Sequence, residues 1–556
     1  MLAAACDRLL FPRESRLHAE QQRAARPSGL LQPVVGDHLV GGDAGGTGGD
    51  AGGPSAAADS SDGGVLPRIL SITWPILVDR LTTVLVGLVS IFLVGQSGSA
   101  AELAAIGLGN VLVRPCPLAD EFFALGCVFT PGRAAPQVNM TALSVVQGLS
   151  GAMDTLASQA YGSGEREMVG VYAQRCLLIL LVVVVAPAIP VWLFADRILV
   201  ALHQEPETAR LVRQFALVRI PGLVMQVLAT VLQKFLNNQG ITKPNLWGTL
   251  AALPTSLAGS FALIPWLGFV GAPITNTLVD LARLLALLAA LACQTEAWRC
   301  WGGWSTRCWA GWGGFLVLGI PSRVVNCVDW WSGDIANFLY GVQSSNMMAA
   351  ATIVANTFGV QYSFGASLQT GVSTVVGNAL GRGQPAAARR ASAVGLGLAI
   401  LSQAMIWPLY YFLRRPLARL FTSDEAVVSL AEGLTPWVIV FCAFDSTQIT
   451  MVGALTAAGK QKFAAPVQML GFWVVGLPLA AVLAFTRVGG GYVQRYGVAI
   501  GMSIGIGCIW LGFLGLLFCF VDFDGCVVEA EARLAAERAE SEAARGTARE
   551  PETIRS

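Results

Sequence analysis

Three aspartates stand out in this 556-residue chain because each is set in a long apolar stretch. The run Pro321-Ser-Arg323-Val-Val-Asn326-Cys-Val-Asp329-Trp330-Trp331-Ser-Gly-Asp334 puts Asp329 eight residues after a proline and Asp334 five residues further on. Five residues of helix amount to about 140° of rotation and about 7.5 Å of rise, so the two acids do not share a face and each serves a different part of a cavity. Asp445 interrupts another apolar run, between Gly433–Phe444 and Ser446–Gly459. A charge near the centre of a membrane helix costs roughly 2.5–3.5 kcal/mol on insertion scales, so each acid needs a reason to be there. One reason is chemical: a carboxyl shielded from water takes a proton from one side, or exchanges it for a cationic substrate. Trp330 and Trp331 follow the first acid directly and either hold that cation against a ring face or simply pack. The competing reason is structural, with Arg323 or a backbone group neutralising an aspartate and locking helices together.

Other polar residues carry weaker signals. Asp280 and Arg283 are three apart, the spacing of an intrahelical ion pair, and read as structural. Asp79 and Arg80 are adjacent and face different ways; either could line a cavity in the first half of the chain. Asp154, near a predicted helix end, reads as a structural or interface acid. The glycine-rich turns at Gly162/Gly164 and Gly381/Gly383 lack the Lys-Ser/Thr that follows a phosphate loop, and so read as tight helix–helix turns. Cys293, Cys300 and Cys308 lack zinc-type spacing. His18, His38 and His203 are too few for a histidine-built metal site.

The elements that must carry these residues follow from composition. The chain is 54% hydrophobic and 13% charged, with net charge +1 and mean hydropathy +0.60. A soluble enzyme of this size would have about a quarter charged residues, and a nucleic-acid binder would carry a basic field. The twelve cysteines lie mostly in apolar runs, where they act as small hydrophobes. An integral membrane protein remains. A bilayer core about 30 Å thick needs roughly 20 apolar residues per helix. On that basis the chain divides into twelve transmembrane helices, at about 66–95, 99–110 continuing at 138–160, 169–194, 211–235, 245–265, 270–293, 314–341, 349–380, 391–412, 428–457, 464–485 and 496–521. The alternating segments of a β-barrel are absent. Residues 1–64, with the Gly/Ala-rich tract Gly41–Gly53, read as a disordered tail. Residues 296–313 form a Trp-rich loop, and the charged tail from 526 to 556 reads as a solvated helix or a disordered segment.

An internal repeat organises the helices. Thr155-Leu-Ala-Ser-Gln-Ala-Tyr-Gly162-Ser-Gly164 matches Thr374-Val-Val-Gly-Asn-Ala-Leu-Gly381-Arg-Gly383 at an offset of 219 residues. The loops ending at Pro244 and Pro466 match at an offset of 222. Two pseudo-symmetric six-helix lobes follow, residues 65–295 and 314–525, in an arrangement that places a substrate site between or inside the lobes. Pro75 and Pro321 should obey the same offset but differ by 246, an excess of 27 residues that coincides with 111–137. That segment puts four prolines and four charges where the second helix should be continuous. It reads as an insertion or a retained intron, which sequencing the transcript decides. Loop charges of nine Lys/Arg against seven give a slight positive-inside bias that puts both termini in the cytoplasm.

The sequence resembles the multidrug and toxic compound extrusion (MATE) transporters, and within them the eukaryotic branch. The resemblance rests on Asp154-Thr-Leu-Ala-Ser-Gln-Ala-Tyr-Gly-Ser-Gly164, Lys234-Phe-Leu-Asn-Asn-Gln-Gly-Ile241, Trp301-Gly-Gly-Trp-Ser305, Ile320-Pro-Ser322, Asp329-Trp-Trp331, Val376-Gly-Asn-Ala-Leu-Gly381 and Val474-Val-Gly-Leu-Pro478. It covers about 66–525 apart from 111–137. It implies twelve helices in two lobes, and export of organic cations or secondary metabolites in exchange for protons, with no cofactor and Na+ as the other possible coupling ion. In the family's pattern the seventh helix reads Glu-Trp-Trp with a second acid five residues on; Asp329 and Asp334 fall on those positions, and Asp445 on the acid of the tenth helix. Asn356 falls where some members of the animal branch have a further glutamate, and Val375 where an arginine is common. The implied partners are a small cationic substrate and the lipid bilayer of a plasma membrane, vacuole or other endomembrane, with a monomeric protein and no nucleic acid. An organic-anion exporter remains open within the same class. A lipid flippase would favour a wide basic cavity, and an intramembrane enzyme would need a nucleophile–base pair or a metal motif, which the sequence does not display.

Overall fold

The computed structural model describes residues 64–97, 142–201, 206–267, 270–293, 295–422, 424–486 and 490–547. The glycine-rich N-terminal tract and the 111–137 segment lie outside the described residues, as does the predicted helical piece at 99–110. Within them every regular element is a helix. The long ones are α1 Val65–Ser97, α2 Ala142–Gly162, α3 Arg166–Leu193, α4 Pro206–Asn238, α5 Lys243–Leu267, α6 Gly271–Ala292, α7 Trp312–Gln343, α8 Ser345–Gly381, α9 Pro385–Phe421, α10 Glu425–Ala457, α11 Gln461–Phe485, α12 Gly490–Phe520 and α13 Phe523–Thr547. The first twelve answer to the predicted spans, most extended by a turn or two at one or both ends.

Eight of these helices, α3–α6 and α9–α12, are long and apolar enough to cross a bilayer by composition. Four others, α1, α2, α7 and α8, meet across the lobe boundary, and α1 itself carries the charge-free apolar run that starts at Leu81. A helix facing protein and cavity is released from the need to be apolar all round, which is why α7 tolerates Arg323, Asp329 and Asp334. Two hydrophobic cores result. The first is built from α2–α4 and α6, the second from α7–α12. Each lobe lends part of its leading helix to the other: Ile69, Ile72 and Ile76 of α1 lie in the second core, and Phe315 of α7 lies in the first.

Small residues let the leading helices approach. A Cβ on Gly148 of α2 would stand 2.4 Å from the Arg323 Cα of α7, and one on Gly371 of α8 would stand 2.4 Å from the Thr73 hydroxyl of α1. Two prolines inside the bundle are accommodated by wide π-helical turns just before them. Leu181–Val185 precedes Pro187, and Leu470–Gly476 precedes Pro478, so each missing N–H falls where the ladder is already stretched.

The C-terminal segment departs from the solvated tail expected of its charge. As α13 it lies across both lobes. Cys526 and Val527 are buried in the second core and Leu534 in the first. Glu529 pairs with Lys460 at 2.7 Å, Arg538 pairs with Glu165, and Glu537 receives both terminal nitrogens of the buried Arg175 at 2.7 and 3.1 Å. The Trp-rich loop folds back on α3: Gln174 donates to the Gly303 carbonyl at 2.7 Å and accepts from the Ser305 N–H at 3.0 Å.

Candidate functional site

α7, α8 and α10 bring the candidate site together. Asp445 sits where α10 becomes buried on every side, from Asp445 to Ala457. The helix survives there because Gly365 of α8 lets the backbones meet: a Cβ on it would be 2.8 Å from the Ser446 Cα. Asp445 is 2% exposed. Gln448, one turn on, donates to one carboxyl oxygen at 3.4 Å, and the other oxygen is buried without a hydrogen-bond partner among the described residues. Asp329 reaches the same region from α7, close enough for its charge to act on Asp445. Tyr362 of α8 stands within range of both acids, and its hydroxyl is hydrogen-bonded to the Trp330 side chain. Among the described residues neither Asp329 nor Asp445 forms an ion pair with a lysine or arginine.

The structure therefore unites Asp329, Asp445 and Trp330, and adds Tyr362, which the sequence did not single out. Its only signal was a phenol inside the charge-free stretch Ile335–Gly381, and nothing in the spacing said which helix it would face. Trp330 serves as a hydrogen-bonding neighbour of that phenol. Trp331 is half-buried, and its indole N–H has no partner among the described residues. Asp334 lies further along α7, half-buried. Asn356 is on α8, six residues before Tyr362; its side chain lies outside the described residues.

The acids of the first lobe are arranged differently, and one expectation is overturned. Asp280 and Arg283 do not pair with each other. Asp280 accepts from Arg219 of α4 at 2.7 Å, while Arg283 reaches Asp79 of α1 at 3.2 Å, with Thr249 of α5 also donating to Asp79. Helical spacing brought the two side chains near, but longer reaches to neighbouring helices tie more of the bundle together. Asp154 is the structural acid expected of it, paired with Lys234.

Between the lobes lies a cavity of about 80 Å³, lined by residues of α1, α2, α4, α7, α8, α10 and α11, among them Arg80, Asp154, Lys234, Ser322, Asn326, Ser373 and Gln461. One end is closed by the repeated motif. The Thr155 hydroxyl donates to the Thr456 carbonyl at 2.5 Å, and Gln159 Nε2 donates to the Ala457 carbonyl at 2.8 Å. A Cβ on Gly162 would stand 2.3 Å from the Asn378 carbonyl oxygen, and one on Gly381 would stand 2.1 Å from that of Gln159. Gly164 and Gly383, at φ +88° and +69°, make the tight turns expected of them. The turns were legible; the seal between lobes was not.

Comparison with known proteins agrees with this architecture. The MatE family pattern matches residues 133–262 and 321–482. Multidrug and toxin extrusion protein 2 of Oryctolagus cuniculus is 34% identical over 409 residues, 73% of this chain and 65% of that protein, so the match spans just under two thirds of that relative's length. Multidrug and toxin extrusion protein 1 of Homo sapiens is 31% identical over 406 residues, 72% of this chain and 68% of that protein. The crystal structure of the eukaryotic MATE transporter AtDTX14 superposes with a TM-score of 0.71 at 23% identity, covering 84% of this chain and 98% of that one. An outward-facing multidrug resistance MATE family transporter gives a TM-score of 0.66 at 16% identity, over 85% and 97%. The fold is the twelve-helix, two-lobed membrane fold of those structures, and the chain belongs to the MatE family.

Proposed function

We propose that the protein is a proton-coupled antiporter that exports organic cations by alternating access; the names of its relatives support the extrusion of drugs and toxins. One observation carries the reading. The first-lobe acids Asp79, Asp154 and Asp280 each have a basic partner, whereas Asp329 and Asp445 have none among the described residues. Two carboxyls in apolar protein with no protein cation beside them can be satisfied by a proton or by a positively charged cargo. Because their charges act on one another, they bind protons as a pair. Competition between proton and cargo for that pair is what an exchanger requires. In this reading the lobes are 65–295 and 314–525, both termini are cytoplasmic, and the sealed end, where α2 and α8 finish, faces the cytoplasm. The structure then corresponds to a state closed to the inside. The protein works as a monomer, with Asp334 and Asn356 completing the cargo path.

Flux of a fluorescent organic cation in proteoliposomes, under imposed proton and then sodium gradients, tests the proposal. Uptake driven by the proton gradient alone is expected. Uptake that follows only the sodium gradient would reassign the coupling ion, and no gradient-dependent uptake would remove the antiporter reading.

A further inference from the structure

Arg80 has no counterpart among the paired cations of the first lobe. Arg219, Arg283, Lys234 and Arg175 are each matched to a carboxylate. Arg80 lines the inter-lobe cavity, and its Nε is buried without a hydrogen-bond partner among the described residues. The acids nearest in sequence or cavity are already engaged: Asp79 by Arg283 and Thr249, Asp154 by Lys234. A second lining group is in the same condition. Ser373 of α8 is 5% exposed, and its hydroxyl is buried with no partner among the described residues. A buried guanidinium nitrogen and a buried hydroxyl, both on residues lining one small cavity and meeting no acceptor among the described residues, are costly unless an acceptor comes from outside the protein.

The cavity's size limits what that acceptor can be. Drug-sized ligands occupy about 300–1,000 Å³; 80 Å³ suits one functional group. A guanidinium and a hydroxyl call for an oxyanion. Arg80 also lies within electrostatic range of Tyr362, which Asp329 and Asp445 reach from the second lobe. Tyr362 is thus within electrostatic reach both of Arg80 on α1, which lines the cavity, and of Asp329 and Asp445 on α7 and α10, which stand outside its lining.

We infer that Arg80 and Ser373 form a subsite for a carboxylate or similar oxyanion carried by the cargo, so that the preferred substrates are zwitterions whose cationic end lies toward Asp329 and Asp445. The inference rests on the cargo reading of those two acids. A matched pair of probes separates the two: 1-methylnicotinamide, a cation, and trigonelline, which has the same ring with a carboxylate in place of the amide. Binding to the purified full-length protein is read by tryptophan fluorescence and transport by counterflow in proteoliposomes. The wild-type protein should bind trigonelline at least about tenfold more tightly. Arg80→Gln should erase that preference while leaving the cation's affinity within about twofold, and Arg80→Lys should restore part of it. Asp329→Asn should weaken both probes alike; cation affinity unchanged by Asp329→Asn would sink the cargo reading, while the Arg80-dependent preference would still be measurable. Equal affinities in the wild type, equal loss of both probes in Arg80→Gln, or nicotinate binding as tightly as trigonelline would each overturn the zwitterion subsite.

Discussion

Asp445 and Asp280 carry the same carboxyl on similar apolar helices, yet their neighbours give them opposite consequences. Arg219 holds Asp280 at 2.7 Å, whereas Asp445 has only the amide of Gln448 at 3.4 Å. Removing one partner of an enclosed ion pair leaves the other charge stranded, at a cost of about 3–5 kcal/mol. Asp79→Asn, which strands Arg283, should therefore lower the thermal midpoint in detergent and the yield of folded protein. Asp329→Asn removes no hydrogen bond to its side chain among the described residues. It should leave the midpoint within a degree or two of wild type (about 0.5 kcal/mol) while abolishing proton-driven efflux in the vesicle assay. Wild-type efflux by that variant would refute the assignment of Asp329, and a large loss of stability would make it a structural acid.

At the scale of elements, the ends of α2 and α8 form the contact that closes the cavity. Gly162 and Gly381 belong to a repeated motif, and each faces the other lobe's backbone closer than any side chain allows. Overpacking of this kind costs about 1–3 kcal/mol, which at tenfold per 1.4 kcal/mol is enough to move a two-state equilibrium several-fold or more. Gly381→Val should therefore shift the population away from the sealed state. Pulsed electron resonance between spin labels at Ser163 and Arg382 should show a longer distance component. A distribution identical to wild type would mean that the helices yield locally and the motif does not control closure.

For the whole molecule, α13 is the element that ties the two lobes together from outside the bundle, packing on α8 and α9 and pairing with Arg175, Glu165 and Lys460. Its first turns belong to the second core, and Leu534 and Glu537 belong to the first lobe through the core and through Arg175. Burial pushes the Cys526 thiol up to about 11, so at pH 8 the thiolate that attacks maleimide is scarce as well as enclosed. Mass spectrometry of labelled peptides should show Cys526 reacting at least about 100-fold more slowly than the exposed Cys293 until the protein is unfolded. Glu537→Lys sets a second cation against Arg175 and should free the far half of α13. The expected sign is faster tryptic cleavage at Arg533 and Arg538 in the folded protein; unchanged cleavage would show that Leu534 alone anchors the helix.

Composition and apolar run length determined that the chain is a helical membrane protein, because a span must satisfy its own backbone whatever it packs against. The repeat from Thr155 and Thr374 determined the two lobes, and the interruptions at Asp329 and Asp445 marked the acids worth explaining. Those features are local, so they can be read along the chain. Pairing is not local. Whether Asp280 meets Arg283 or Arg219, whether Tyr362 faces the acids, and whether Gly162 turns a corner or seals a cavity all depend on distances between helices that sequence spacing does not contain. Only the packed bundle decided them, because a carboxyl's role is set by the charges and donors around it, and those come from other helices.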